Sequence, residues 1–169
     1  MSDEVIEVIS KYPNICRHIH LPVQSGSSKI LKKMNRLHTR EEYLVLINKI
    51  KTKIPDCSIS HDIITGFPSE DDKDHLDTLN LMESVKYEYG YMFKYSERPG
   101  TMAQKKFTDN VPLEIKNIRL NEIILKQKNH SYFRNQEFLN KIVCVLIEKE
   151  SKKSDEFWSG RTTQNTVVV

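Results

Sequence analysis

The first 95 residues predict an α/β fold in which parallel strands are joined by crossover helices. Stretches of strand length alternate with stretches of helical periodicity, in the order helix–strand–helix–strand–helix–strand. The segments between the strands are long enough for a helix, which parallel pairing requires and a hairpin does not. A barrel and an open sheet both fit this pattern.

Capping and chain-breaking residues delimit the first elements. Residues 2–11 predict a helix that ends before Pro13, and residues 17–23 predict the first strand. Thr39 and Glu42 have the Thr-x-x-Glu spacing of a capping box, which predicts the start of a second long helix. Its apolar residues follow at helical spacing, at Tyr43, Leu46, Ile47 and Ile50.

The second and third strands flank another helix. Residues 58–64 predict the second strand, which Gly66 and Pro68 end. A helix starts near Glu70, whose charge suits the helix N-terminus, and residues 88–95 predict the third strand. The apolar face of this helix is predicted to consist of Leu76, Leu79, Met82 and Val85.

A basic helix and short strands follow the Arg-Pro-Gly break at residues 98–100. Residues 112–136 predict a helix that is rich in Lys and Arg and has only a narrow apolar stripe. Residues 142–147 predict a strand, residues 151–155 a polar turn, and residues 167–169 are apolar again. This part of the chain therefore predicts short β structure after a long helix.

Composition and charge restrict the class of protein. Of the 169 residues, 38% are hydrophobic and 29% charged, as in ordinary globular domains. No apolar run approaches the roughly 20 residues of a membrane span, and no signal-peptide core follows Met1, so we expect a cytoplasmic protein without a membrane partner. Residues 1–100 carry 14 Lys and Arg against 15 Asp and Glu, whereas residues 101–169 carry 12 against 8. The excess of positive charge after residue 100 is typical of a surface that contacts nucleic acid. The alternative is a charged surface that is only solvated.

The cysteines predict neither disulfides nor a metal site. Cys16, Cys57 and Cys144 are odd in number and far apart in the chain. A dispersed set of this kind argues against a disulfide framework and against a cysteine metal site. We therefore predict no metal ligand in the chain and expect buried or inert thiols.

Polar residues gather where the predicted strands end, which is where parallel α/β proteins place their chemistry. Strand alternation puts His18, His20 and Gln24 on one face. Because unpaired polar groups are costly to bury, we expect this face to point into a ligand cavity. The alternative is that both histidines are satisfied core or rim residues.

The other two strand ends add candidates of the same kind. Ser60 and Asp62 share a face, and a buried Asp needs partners. Gly66 would let a ligand or backbone approach closely. Arg98 lies on a Pro-Gly loop, where its guanidinium could contact an anion or simply be solvated. Alone, these signals support only a parallel α/β enzyme with a polar site.

The order of five short strings is far more specific. They are His-Ile-His-Leu-Pro-Val-Gln-Ser-Gly-Ser (18–27), Met-Asn-Arg (34–36) with Thr39, Asp-Ile-Ile-Thr-Gly-Phe-Pro-Ser-Glu (62–70), Tyr-Ser-Glu-Arg-Pro-Gly-Thr (95–101) and Gly-Arg-Thr-Thr-Gln-Asn (160–165). In this order, and along the whole chain, they closely resemble the MiaB-type tRNA methylthiotransferases. Members of that family have an N-terminal methylthiotransferase domain, a central radical S-adenosylmethionine (SAM) barrel and a C-terminal TRAM domain.

The resemblance implies a division of the chain into three parts. Residues 1–103 would be the second half of the TIM-like radical SAM barrel, residues 104–138 a basic linker helix region and residues 139–169 the truncated start of the small β TRAM domain. Family members use SAM and two [4Fe–4S] clusters to add a methylthio group to carbon 2 of isopentenyladenosine next to the tRNA anticodon. The chain lacks the family's Cys-x-x-x-Cys-x-x-Cys motif. A cluster needs converging thiolates, so we expect a C-terminal fragment that is inactive alone.

The resemblance also implies roles for individual residues. Those expected at the cofactor are Gln24, Ser25, Arg36, Ser60, Asp62, Gly66 and Phe67. Within this set, Gln24 and Ser25 would lie at the ribose and amino-acid end of SAM, and Arg36 suits bidentate contact with the SAM carboxylate. Those expected at the substrate or the RNA are Arg98, Thr101, Lys126, Lys128 and Arg161.

Two alternatives to this interpretation of the function remain. The related branches that act on threonylcarbamoyladenosine or on a ribosomal protein differ in the Glu-Arg-Pro-Gly string, and the latter also lacks Val-Gln-Ser-Gly-Ser. An RNA-binding module without catalysis is an alternative of a different class.

The outer edge of the strand at residues 17–23 would be open, and open edges invite pairing with another chain. We therefore expect self-association through this edge, unless the helix at residues 2–11 covers it.

Overall fold

A computed structural model describes residues 1–152 and 154–169. Within these residues the chain forms two separate three-stranded sheets, one parallel and one antiparallel. The elements are α1 (Asp3–Lys11), β1 (His18–His20), α2 (Ser28–Lys33), α3 (Arg40–Lys53), β2 (Ser58–Thr65), α4 (Asp72–Val85), β3 (Tyr89–Lys94), α5 (Met102–Lys106), α6 (Leu113–Gln136), β4 (Val145–Ser151), β5 (Ser154–Thr162) and β6 (Val167–Val168). The predicted parallel sheet with crossover helices is confirmed.

The parallel sheet has the strand order β1-β2-β3, with α2 and α3 in the first crossover and α4 in the second. β1 ends at His20, earlier than predicted, because Pro22 has no N–H to donate to the neighbouring strand. Pairing resumes at Gln24, whose N–H donates to the carbonyl of Asp62 over 2.8 Å. The first strand is thus interrupted at a proline and re-joins the sheet where the functional residues were expected.

One apolar core lies between the parallel sheet and its helices. Ile59 and Ile63 of β2 are completely buried, and α1 adds Ile6 from its inner face. α1 packs against α3, where Lys49 forms an ion pair with Asp3 at 2.6 Å. The predicted capping box of Thr39 and Glu42 is present at the start of α3, so the local signal there is confirmed.

Two helices bury faces that differ from the predicted ones. In α4 the predicted core residue Leu76 is 54% exposed, and His75 is buried instead. The buried residues of α6 are mostly polar: Lys116, Arg119, Ile123, Gln127 and His130. Most of these polar groups have partners across the interface, which lets them tolerate burial: Gln127 Oε1, for example, lies 2.8 Å from His61 Nε2.

The antiparallel sheet also differs from prediction. The predicted strand at 142–147 starts later, at Val145, and Ile142 is fully exposed. The predicted turn at 151–155 falls between β4 and β5, with residue 153 outside the described residues, and β5 itself was not predicted. Its sequence is largely polar, so its strand conformation depends on pairing with β4 rather than on local preference. No helix of the described residues is long and apolar enough to cross a membrane.

Candidate functional site

Two adjoining clefts open where the parallel strands end. The larger cleft, of about 860 Å³, is lined by residues of α2, of α5 and of the strand ends. The smaller cleft, of about 510 Å³, lies towards β3 and the loop that follows it. Four residues line both clefts: Gln24, Ile64, Tyr95 and Ala103. Chemistry was expected at this end of the sheet because parallel α/β folds place ligands there.

The larger cleft combines aromatic rings with a cationic rim. The ring of Phe67 meets those of Tyr95 and Phe107 nearly edge to face, with centroids 5.0 and 5.8 Å away. The Tyr95 hydroxyl is buried without a hydrogen-bond partner among the described residues. The cations along the cleft are Lys29, Lys32, Lys33, Arg36 and Lys106. This lining fits a ligand that has both a flat ring and an anionic group.

Gln24 is held between the two clefts by its backbone. Its N–H donates to Asp62, and its carbonyl accepts from the N–H of Ile64 at 2.9 Å. Its φ of 73° lies in the left-handed region, which costs a non-glycine residue about 1–2 kcal/mol. Strain of this kind persists only where the surroundings fix the conformation, and here two strand-like hydrogen bonds do so.

The end of α2 places Arg36 at the larger cleft. Asn35 adopts a left-handed φ of 58°, and its N–H donates to the carbonyl of Lys32 at 3.1 Å. The N–H of Arg36 donates to the carbonyl of Leu31 at 2.9 Å. This pair of bonds is a Schellman cap, and asparagine is the residue after glycine that best tolerates the left-handed turn. The Met-Asn-Arg string therefore ends the helix and turns the chain at the cleft.

Three predicted residues meet at the smaller cleft. Asp62, Arg98 and Thr101 line it together with Phe93. The Thr101 hydroxyl donates to the carbonyl of Arg98 at 2.8 Å and accepts from the N–H of Gln104 at the start of α5. Asp62 Oδ2 lies 3.4 Å from Nε2 of His20. The loop after β3 is thus tied to α5 by the threonine that the sequence singled out.

The other predicted cofactor residues lie outside both clefts. Ser25 is buried, and its hydroxyl accepts from the N–H of Ser27 at 3.2 Å. Ser60 is buried and hydrogen-bonded to His20 Nδ1 at 2.8 Å. Gly66 has a left-handed φ of 72°, and its N–H donates to a Glu70 carboxylate oxygen at 2.9 Å. These three residues shape the backbone around the clefts rather than their walls.

The histidine face of the sheet is largely satisfied by its own neighbours. His18 Nδ1 is hydrogen-bonded to Ser58 Oγ at 2.8 Å, and its Nε2 lies 2.9 Å from the Tyr89 hydroxyl. Burial lowers the pKa of His18, with smaller contributions from His20 and Arg161. His18 is therefore a satisfied, neutral rim residue, which is the alternative that the sequence left open.

The candidate RNA contacts do not converge on one surface. Lys126 Nζ lies 2.7 Å from Glu83 Oε2, whereas Lys128 is exposed one half-turn away. Arg161 Nη1 donates to Asn165 Oδ1 at 2.7 Å and lines a different cleft, together with His18. Part of the positive charge of α6 is thus neutralised by carboxylates of the parallel unit.

Sequence reasoning missed two buried cations of α6. Lys116 and Arg119 looked like surface charges, but their side chains are only 5% and 7% exposed. They share a helical face with buried Ile123, at spacings of seven and four residues. That periodicity predicts burial and was a signal available in the sequence.

The cysteines of this chain do not fit an iron–sulfur cluster. Cys57 is buried, and burial raises the pKa of its thiol to about 12. Cys16 and Cys144 are exposed at another cleft, which shares no lining residue with the two clefts described above. Among residues 1–152 and 154–169, no group of three or more His, Cys, Asp or Glu side chains could hold a metal ion.

Comparison with known proteins agrees with this fold and extends it. The model of the radical SAM superfamily matches residues 1–82. Coproporphyrinogen III oxidase (HemN) from Escherichia coli, a radical SAM enzyme, has a similar structure, with a TM-score of 0.63 and 20% identity over 77% of this chain and 30% of its own. At that identity the likeness concerns the fold alone, and it supports an α/β radical SAM fold for the parallel unit.

Curated relatives match the chain from end to end. Proteins named tRNA-2-methylthio-N(6)-dimethylallyladenosine synthase are 60% identical in Christiangramia forsetii, 57% in Karelsulcia muelleri and 55% in Bacteroides fragilis, each over all of this chain. The chain spans 35% of the first of these and 37% of the other two. The resemblance seen in the sequence is therefore confirmed: over its whole length this chain is similar to a stretch of the proteins named tRNA-2-methylthio-N(6)-dimethylallyladenosine synthase, and its first 82 residues match the radical SAM superfamily.

Proposed function

We propose that this chain is part of an enzyme that adds a methylthio group to carbon 2 of isopentenyladenosine next to the tRNA anticodon, with SAM as cofactor. The observation that carries the proposal is the collinear match, at 53–60% identity over the whole chain, to synthases named for dimethylallyladenosine in tRNA. Because the chain spans 35% of the first relatives, this activity belongs to the longer protein. A cytoplasmic location follows from that role.

The larger cleft is the proposed SAM site. Phe67 and Tyr95 offer ring faces and edges for the adenine, and Arg36 can meet the carboxylate with two parallel hydrogen bonds. Gln24, fixed between the clefts, would contact the ribose and amino-acid part, and Asp62 can accept hydrogen bonds from hydroxyl groups at the smaller cleft. Ser25, Ser60 and Gly66 support these contacts from behind. In this family the reactive chemistry comes from SAM at a cluster whose ligands this chain does not supply.

SAM binding to the purified chain tests the site directly. We expect Arg36→Ala to weaken binding by about 10- to 100-fold, since a hydrogen bond to a charged group contributes about 1.5–3 kcal/mol. Lys53→Ala is the matched control, because Lys53 is an exposed cation at the far end of α3. Isothermal titration calorimetry measures both. Equal affinities for wild type and Arg36→Ala would remove Arg36 from the site.

tRNA is the proposed partner, and β4–β6 are the proposed start of a TRAM domain. Lys126, Lys128 and Arg161 are the candidate phosphate contacts, with Arg98 and Thr101 nearer the substrate. Charge reversal at Lys126 and Lys128 should weaken tRNA binding and reduce its salt slope by about one per lost phosphate contact. An unchanged affinity and slope would mean that neither lysine contacts the RNA. We also propose that the barrel part of the chain ends at residue 103 and that the linker helix region ends at residue 138.

The outer edge of β1 is proposed to pair with a second chain. β1 lies at one end of the strand order of the parallel sheet, and α1 packs against α3. Unpaired strand edges template association. Size-exclusion chromatography with light scattering should show a concentration-dependent dimer or larger species for this chain. A monomer at high concentration would contradict the proposal.

A further inference from the structure

We propose that Lys116 and Arg119 of α6 are positioning residues that hold the two loops forming the larger cleft in their binding conformation. The proposal rests on the proposed SAM site. It assigns part of the basic helix, which the sequence alone connected with RNA, to the cofactor cleft. Neither side chain lines that cleft itself, so any effect on the ligand is transmitted through the loops.

Arg119 holds the loop between β2 and α4. Its Nη1 donates to both the carbonyl and a carboxylate oxygen of Glu70, each at 3.0 Å, and its Nη2 donates to Asp72 at 2.8 Å. Glu70 is 2% exposed and accepts from the N–H of Gly66 and the hydroxyl of Thr65. The guanidinium therefore closes a ring of hydrogen bonds around the turn that carries Phe67 to the cleft.

Lys116 bridges this loop and the one that follows β3. Its ammonium group donates to the carbonyl of Tyr95 at 3.4 Å and to Asp109, and it lies 5.2 Å from the centroid of the Tyr95 ring. Its aliphatic chain lies against Gly66, where a Cβ atom would stand 2.4 Å from Lys116 Cγ. The left-handed glycine and the buried lysine thus fit each other, and together they fix the loops that carry Phe67 and Tyr95.

Removing Arg119 would leave a buried carboxyl group without its cation. Burial already raises the pKa of Glu70, and Arg119 opposes that rise. Without the arginine, the carboxyl takes up a proton more readily and becomes a weaker acceptor for the N–H of Gly66. The hydrogen bond that stabilises the left-handed conformation of the turn at Gly66 is then weakened.

A second ion pair of α6 provides a control for the proposed positioning role. Arg134 forms an equivalent ion pair, with Nη2 donating to Glu88 at 2.6 Å and side-chain exposures of 18% and 14%. Glu88 accepts from the N–H of Ile59, at the other end of the sheet. Arg119→Met and Arg134→Met therefore remove the same chemistry from the same helix, at the cleft in one case and away from it in the other.

The experiment compares these variants in a full-length protein that contains this stretch. Hydrogen–deuterium exchange is measured without ligand over residues 64–71, SAM affinity by calorimetry and stability by thermal denaturation. We expect similar losses of thermal stability for both variants. Of the two variants, only Arg119→Met should speed exchange at the Gly66 turn and weaken SAM binding about tenfold, which corresponds to about 1.4 kcal/mol. Lys116→Met should act in the same direction, and Arg119→Lys should restore part of the affinity.

The possible results distinguish this proposal from the proposed SAM site on which it rests. If Arg119→Met and Arg134→Met weaken SAM binding equally, the effect is general destabilisation and the positioning role is wrong. Unchanged exchange over residues 64–71 in both Arg119→Met and Lys116→Met would overturn it as well, whatever the ligand does. A wild-type protein that binds no SAM would instead refute the proposed function, while the exchange data would still decide whether α6 braces the loops. If Arg119→Met does not fold, Lys116→Met provides the same test.

Discussion

The two sheets of the molecule are stabilised in different ways. In the parallel sheet Ile59 and Ile63 are completely buried under helices, whereas in the antiparallel sheet Leu146 is 71% and Trp158 is 59% exposed. The loop after β5 joins the sheets through hydrogen bonds, including one from Asn165 Nδ2 to the Tyr89 hydroxyl at 2.8 Å. One unit thus has a core of its own, and the other is attached through a few polar contacts, which predicts unequal local stability.

Core substitutions should give the largest contrast between the sheets. Ile59→Ala removes completely buried methyl groups, for which we expect a loss of about 3–4 kcal/mol in the free energy of unfolding. Leu146→Ala removes mostly exposed surface and should cost less than about 1 kcal/mol. Urea denaturation monitored by circular dichroism measures both. Comparable losses would mean that the second sheet buries a core that its exposure does not reveal.

Acid should destabilise the parallel unit through His61. The ring is buried beside Tyr87 and hydrogen-bonded to Gln127 at 2.8 Å, and burial lowers its pKa to about 4. Between pH 6.5 and 4 the unfolded chain binds a proton that the folded chain does not, so stability falls as the pH falls. A depression of this size corresponds to a loss on the order of 3 kcal/mol. All six histidines precede residue 131, so this sensitivity belongs to the parallel unit and its helices.

The measurement is the slope of stability against pH in wild type and His61→Gln. The amide stays neutral, so the slope between pH 6.5 and 4 should become clearly shallower, although the variant is less stable at neutral pH. Asp62, His20 and His130 also act on this ring and are present in both proteins, so the difference between the two slopes reports the ring together with their influence on it. Identical slopes would contradict the assignment.

The hydrogen bond between the sheets should give the smallest effect. Asn165→Ala removes the bond to Tyr89 and also the one that Asn165 accepts from Arg161, so amide exchange in β4–β6 should rise at least about fivefold, as expected for about 1 kcal/mol per hydrogen bond. Exchange in β1–β3 should not change. Thr163→Ala is the control, since the exposed Thr163 hydroxyl donates to Gln164 within the same loop. Equal responses of both sheets would mean that they unfold as one unit.

The sequence predicted those features that depend on local signals. The capping box of Thr39 and Glu42 and the alternation of strands and helices are both present. α5 and β5 were not predicted, because a five-residue helix and a polar strand carry little periodicity. β5 becomes a strand only by pairing with β4, which no window of sequence can indicate.

The sequence predicted those residues of the candidate site that lie at the ends of the parallel strands. Gln24, Asp62 and Phe67 line the clefts because the ends of parallel strands meet at one edge of the sheet. Ser25 turned out to be buried because the Gln-Ser-Gly-Ser turn packs closely on α4, with the N–H of Gly26 donating to Thr78 at 2.9 Å. Such a partner, 52 positions away in the chain, depends on tertiary packing.

The polar face of α6 also fixes where this helix can sit. An apolar stripe can slide along a neighbour by one turn with little loss, but the paired groups of α6 match in only one alignment. Its partners from one end to the other are Glu70, Glu83, His61 and Glu88, bound by Arg119, Lys126, Gln127 and Arg134. A shift of about 5.4 Å would separate every pair. Because its alignment is fixed, the helix, about 36 Å long for its 24 residues, also fixes the point at which the chain leaves the parallel unit and leads into the second sheet.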